Sequence, residues 1–407
     1  MTRSSHRFAA LSLTVSLLAA CAMPPETDPP ATTADARAIH ERALVLDTHL
    51  DTPAFFDLPG WKITDRHSVA TDTSEVDIPR MKEGGLDGGF FVIYTSSGPL
   101  TAEGYAVAKA HMIRRSDAIL RVVRENPDAM QLALTADDAE KIAASGKRIV
   151  YVSVENSLGV GDDAAGMRSF MAELYKRGVR MASPVHVKQN QLADSANEPG
   201  RFGGFSPLGK QWLAEVNRLG MIPDASHASD AVFDQMLELS TTPIILSHSG
   251  PKAVFDHPRN IDDARIRRLA EKGGVIMINS IYLAPRTNNA EREKLSAELD
   301  KTPVGPRREE IARKIHAINQ VSPVEKADFE MYMASMLHVL KLVGPDHVGL
   351  GADWDGGGGV AGMEDVAALP KITERLLAEG YSEADIRKIL GGNVIRLLRA
   401  AEAAKGR

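Results

Sequence analysis

His49 and Asp51 sit two residues apart in Asp47-Thr48-His49-Leu50-Asp51, at the end of an apolar run. Glu155 ends another such run, His186 a third, His227 a fourth and His248 a fifth, while Asp353 and Asp355 end the last. Side chains alternate along extended chain, so His49 and Asp51 are predicted to share a face, as are Asp353 and Asp355. Imidazole nitrogen and carboxylate oxygen are the donors that divalent transition metals take. Each residue alone has a plainer explanation: a hydrogen-bonded core histidine, an ion pair with a Lys or Arg, a loop cap. Taken together, apolar strands that repeatedly end in ionisable groups would bury unpaired charge at considerable cost. A bound cation removes that cost, so the joint placement points to a metal centre.

The elements that must position these residues are short apolar runs separated by longer amphipathic stretches. The runs are Leu44–Leu50, Gly88–Tyr94, Arg148–Glu155, Arg180–His186, Met221–Ser226, Pro243–Ser249, Gly274–Ser280 and His347–Asp355. Helical patterns such as Ala102–Val122, Gly166–Lys176, Leu208–Leu219, Asp230–Leu239 and Asp262–Glu271 fall between them. Parallel strands need crossover connections, so eight runs in this alternation predict an α/β fold, a (β/α)8 TIM barrel. Every singled-out residue would then lie at the carboxyl ends of the strands, where barrel active sites are built. The open doubly wound sheet is the rival, but no Gly-x-Gly-x-x-Gly follows an early strand. The run Gly356–Gly359 reads as a flexible loop. A charged segment, Ala284–Glu325, interrupts the alternation between the seventh and eighth runs and suits a helical hairpin broken near Pro303 to Pro306. Both a lid and a solvated surface insertion remain open for it. Met363–Leu377, Ser382–Leu390 and Asn393–Lys405 read as closing helices.

Of the 407 residues, 43% are apolar and 25% charged, with a net charge of −6. A basic surface for nucleic acid is therefore not expected. Cys21 is the one cysteine, which excludes an intrachain disulfide. It follows a cationic start (Arg3, His6, Arg7) and a short apolar run, Phe8 to Leu18, with the proportions of a signal peptide. Leu18-Ala19-Ala20-Cys21 resembles the lipobox of bacterial lipoproteins, which implies cleavage before Cys21 and its acylation. The expected organisation is a leader over 1–20, a Pro/Thr-rich tether over 21–36 and the barrel over 37–407. Ala22 resembles the residue found after the cysteine in lipoproteins sorted to the outer membrane, which implies its periplasmic face.

From Val45 to Leu398 the chain resembles the membrane (renal) dipeptidase family of zinc peptidases, among the amidohydrolase-like barrels. The resemblance rests on Asp47-Thr48-His49-Leu50-Asp51, Asp224-Ala225-Ser226-His227, Ser247-His248-Ser249, Arg259-Asn260 and Gly351-Ala352-Asp353-Trp354-Asp355-Gly356. It implies two zinc ions: His49 and Asp51 on one, His227 and His248 on the other, Glu155 bridging them together with a hydroxide. It also implies that His186 and Arg259 contact substrate and that Asp353 transfers protons. Dipeptides are the implied substrates, including those with D-residues at the carboxyl end. An arginine suits the free carboxylate of a short peptide, and a histidine N–H suits an oxyanion. Ser226, Ser247 and Ser249 flank ligands and read as outer donors rather than nucleophiles. His257, Asp224 and Tyr282 read as mouth residues without an assigned role.

The chain departs from the family where Glu155 is followed by Asn156-Ser157-Leu158 rather than Gly-Gly-His, which bears on substrate preference. The segment 284–325 is also longer than expected. These departures keep a second reading open, a metal-dependent amidohydrolase acting on another C–N bond such as a lactam, an N-acyl amino acid or a modified peptide. A noncatalytic surface lipoprotein is a third reading, disfavoured by the completeness of the residue set. Any homodimer is expected to be noncovalent.

Overall fold

A computed structural model describes residues 33–406 together with Met1; the leader 1–20, Cys21 and the tether up to residue 32 lie outside the described residues. Residues 33–36, read above as the end of the tether, instead begin a helix, Thr33–Arg42, in which Ala36 is buried. The strands are β1 (Leu46–Leu50), β2 (Gly88–Tyr94), β3 (Met130–Leu132), β4 (Arg148–Glu155), β5 (Val179–Ala182), β6 (Ile222–Pro223), β7 (Ile245–Ser249), β8 (Val275–Ile278) and β9 (Val348–Leu350). All pairings are parallel, in the order β6-β5-β4-β2-β1-β9-β8-β7, with β3 an added partner at the start of β4. A single parallel bridge, Asp224 to Ile245, joins β6 to β7 and closes the ring. The eight-stranded barrel is thus as expected, and β3 is a strand that the sequence pattern left unassigned.

The strands are buried on both faces, as a parallel sheet covered by helices requires. Most crossover helices start where a Ser, Thr or Asp side chain accepts a backbone N–H of the first turn: Thr101, Asp163, Ser206, Ser229, Asp262 and Asp328 do so. One crossover, Phe329–Val343, had no expected counterpart. The expected hairpin in 284–325 is present as Ala290–Leu299 and Pro306–Val321. At the bottom, Asn393–Ala404 packs Val394, Leu397, Leu398 and Ala401 into one cluster with Leu46, Ile149, Ile222, Ile245 and Val275 at the strand starts. That apolar plug closes the end opposite the carboxyl termini of the strands.

Several strands are shorter than expected. β5 ends at Ala182, β6 at Pro223 and β9 at Leu350, so His186, His227, Asp353 and Asp355 lie in loops. Side-chain alternation therefore cannot place Asp353 and Asp355. Both adopt left-handed backbone, with φ of 67° and 64°. The glycine run after them, expected as a flexible loop, passes close to its neighbours at two positions. A Cβ on Gly356 would stand 2.2 Å from Asp51 Oδ2, and one on Gly358 would stand 2.2 Å from the Ala352 carbonyl. Glycine is required there because the chain passes against the loops that carry the acids.

Candidate active site

β1 brings His49 to the barrel mouth, and a buried carboxylate two residues earlier holds its backbone. Asp47 accepts the His49 N–H at 2.8 Å and the Ala352 N–H at 3.0 Å, tying the end of β1 to the loop after β9. Burial pushes the Asp47 carboxyl up to about 6. β2 and β4 run in register from Gly88 with Ile149 to Tyr94 with Glu155, which sets Tyr94 beside Glu155. On the far side of the barrel, Asp224 accepts the N–H groups of Ser226 (2.9 Å) and Ser247 (3.0 Å) and the Ser247 hydroxyl (2.6 Å). With its hydroxyl proton committed to Asp224, Ser247 Oγ accepts from His248 Nδ1 at 2.9 Å. That contact leaves the Nε2 lone pair of His248 facing the centre, as a ligand requires.

Glu155 stands in the middle with its two oxygens serving different neighbours. Oε2 is 3.6 Å from His49 Nε2, which is 3.2 Å from Asp51 Oδ2 and 3.6 Å from Asp353 Oδ1. Oε1 is 2.8 Å from His227 Nε2 and 3.5 Å from His248 Nε2. His186 Nε2 is 3.9 Å from the same oxygen. Among the described residues, three overlapping triads have donor atoms close enough to hold an ion: His49-Glu155-His248, Glu155-His186-His227 and His49-Asp51-Asp353. His227 reaches this cluster through left-handed backbone, φ 68°, and Asn156 and Tyr282 share that conformation. Positive φ in residues other than glycine concentrates at functional sites, where the surrounding structure holds the strained backbone.

The electrostatics call for added positive charge. Burial lowers His49, but the carboxylates of Glu155 and Asp51 overcome it and raise the imidazole to about 10. Burial, with Asp51 and Asp353 nearby, raises Glu155 to about 8 against the pull of His49. Burial also raises the Asp353 carboxyl. His227 and His248 are held well below their usual range by burial, with Arg259 and neighbouring imidazoles adding to it. Neutral imidazoles beside crowded carboxylates are the donor set that divalent cations need, and a cation takes the place of the protons this crowding would otherwise retain. His49 Nε2 is buried and makes no hydrogen bond. The residues present therefore fit a metal centre.

A cavity of about 400 Å³ opens in front of Glu155, bounded by Asp51, Tyr94, His186, His227, Asp353 and the mouth residues Arg115, Tyr282 and Arg286. Arg259 does not line this cavity and is buried, at 4% exposure. Its Nη2 donates to the His248 carbonyl at 3.2 Å, its Nε has no partner, and it forms no ion pair among the described residues. Asp355 is turned from the ligand cluster: the Thr52 hydroxyl donates to one oxygen and the Glu75 N–H to the other, both at 2.6 Å. Asn156 does not line the cavity. It is buried, its Nδ2 donates to the Thr95 carbonyl, and its Oδ1 accepts from Asn190, so this departure from the family pattern joins two loops.

Sequence reasoning missed Tyr94, Arg115 and Arg286 and assigned no role to Asp47 or Asp224. Tyr94 ends its apolar run as Glu155 does, which was a usable signal. Arg115 lies within the long helix Ala102–Glu125 with no local mark of its place.

The sequence model of the membrane dipeptidase family, peptidase family M19, matches residues 33–407. The chain is 32% identical over 357 residues to dipeptidase tcpJ of Claviceps purpurea, covering 86% of this chain and 74% of that protein. The structure is similar to the probable dipeptidase PvdM of Pseudomonas aeruginosa, with a TM-score of 0.77 and 28% identity over 91% of this chain and 98% of the other. The fold is also shared with a Rhodobacter sphaeroides metallo peptidase liganded with a phosphinate mimic of the dipeptide L-Ala-D-Ala (TM-score 0.69, 23% identity, 88% of this chain and 99% of that one).

Proposed function

The chain belongs to the membrane dipeptidase family, peptidase family M19, and on that premise we propose that it cleaves dipeptides with two zinc ions held around Glu155. The observation that carries this reading is the division of the Glu155 carboxylate, Oε2 toward His49, which in turn meets Asp51, and Oε1 toward His227 and His248. When bound, the ions would polarise the scissile carbonyl and activate a shared bridging water or hydroxide. Asp353 would take the proton of the attacking water and deliver it to the departing amine. His186, lowered to about 4 by burial and Arg259, stays neutral and would donate a ring N–H to the developing oxyanion. Arg259, buried without a carboxylate partner, would receive the free carboxylate of the dipeptide, a group that an internal peptide bond lacks.

The test is to purify the chain from residue 33 onward, measure its zinc, and assay a dipeptide panel that includes D-residues at the carboxyl end. Less than one metal per chain after supplementation, with no dipeptide cleaved, overturns the reading. A second reading, hydrolysis of another C–N bond, is favoured by Arg286, which the insertion supplies to the mouth. Arg259→Met separates the two: a dipeptidase loses chiefly substrate binding, whereas an enzyme that reads no carboxylate there is unaffected. The same proposal includes export as a lipoprotein, anchored through Cys21 on the periplasmic face of the outer membrane. Cys21→Ser should then move the full chain from the membrane fraction to the soluble fraction, and an unchanged distribution overturns that part.

A further inference from the structure

Two guanidinium groups that this catalytic reading leaves unused face the cavity, Arg115 and Arg286. Arg115 comes from the helix after β2, Arg286 from the start of the insertion after β8. β1 and β9, whose ends carry Asp51 and Asp353, lie between them in the barrel order. Neither cation has a close carboxylate partner, although Asp51 acts on Arg115 and Arg286 on Asp353 at longer range. Arg115 donates to the Pro53 carbonyl, and its one ion pair among the described residues is Asp57 at 3.6 Å, a residue largely in solvent. Arg286 reaches Glu325 at 4.0 Å.

Glu325 is committed elsewhere. Its carboxylate accepts the N–H groups of Tyr282 at 3.1 Å and Leu283 at 3.0 Å. Arg286 and Glu325 pair as an antiparallel bridge, and the Thr287 N–H donates to the Val324 carbonyl at 2.7 Å. These contacts lock the two ends of the insertion together and set Tyr282 and Arg286 on the cavity wall. The other acid lining that wall, Asp355, has both oxygens engaged by Thr52 and the Glu75 N–H and pairs with neither arginine. A small cavity flanked by two under-neutralised guanidiniums favours a ligand with an anionic group of its own.

We propose that the insertion builds a side-chain subsite in which Arg286, with Arg115 on the other side of the mouth, selects dipeptides bearing an acidic side chain. This rests on the dipeptidase reading and adds a second anion to the α-carboxylate assigned to Arg259. The experiment compares zinc-loaded wild type, Arg286→Met and Arg115→Met on the near-isosteric pairs Ala-Glu against Ala-Gln and Glu-Ala against Gln-Ala. Affinities for the matching phosphinate mimics are measured alongside. A charge-assisted contact predicts that the acidic member of one pair is favoured about tenfold or more in kcat/KM and in mimic affinity. The ratio should fall toward unity in both variants. A wild-type ratio near one in both pairs overturns the proposal, as does a preference that survives both substitutions. Cleavage of Ala-Ala by the wild type reports on the dipeptidase reading separately, and the mimic affinities report on the subsite even without turnover.

Discussion

A metal ligand is made by its neighbours as much as by its own type. His248 turns Nε2 toward Glu155 and His227 because its other nitrogen is engaged by Ser247, and Ser247 is oriented by Asp224. Ser247→Ala removes that restraint without touching a ligand. It should lower metal affinity or activity about 10- to 100-fold, read by metal titration and elemental analysis, while the fold is retained. Asp353 differs in kind: if it moves protons, Asp353→Asn should keep the metal content and lower kcat about 10²- to 10⁴-fold. Metal content falling in parallel with kcat would make Asp353 a ligand instead, a role its 3.6 Å distance from His49 Nε2 permits.

The connection between β1 and β2 shows how an element far from any ligand supports the mouth. The helix Ile78–Glu83 is fastened by Arg80, whose side chain is 1% exposed and bonds to Asp77 at 2.6 Å and to Asp365 at 3.1 Å. Just before it, Glu75 accepts the Asp355 N–H, and the Glu75 N–H is donated back to Asp355, so the connection braces the loop that carries Asp353. Removing one partner of a buried pair leaves an uncompensated charge, so Arg80→Ala should cost about 3–5 kcal/mol in denaturant unfolding. Part of that cost should also appear as weaker metal retention, because the braced loop is shared.

For the whole molecule, candidate donors from the ends of β1, β4 and β7 and from the loop after β6 converge on one cluster, so a cation there would tie together segments distant in sequence. An ion that binds only the folded chain stabilises it by about 4 kcal/mol at a thousand times its Kd. Chelation should therefore lower the melting temperature, and zinc should restore it. A melting temperature indifferent to chelator would argue against a resident ion.

The barrel was legible because eight β-branched runs alternate with amphipathic stretches, a pattern set by local chemistry along the chain. That His49, Asp51, Glu155, His227 and His248 would meet at one end of the barrel was legible for the same reason, each marking the end of an apolar run. Alternation could not orient Asp355, because it holds only inside a strand and β9 stops at Leu350. Arg115, Arg286 and the role of Asp224 in holding Ser247 carry no local signal, since their partners lie far off in sequence. Residue type and period are properties of neighbours along the chain, whereas which carboxylate faces which imidazole depends on how the ring closes. Only that closure decided the centre's geometry.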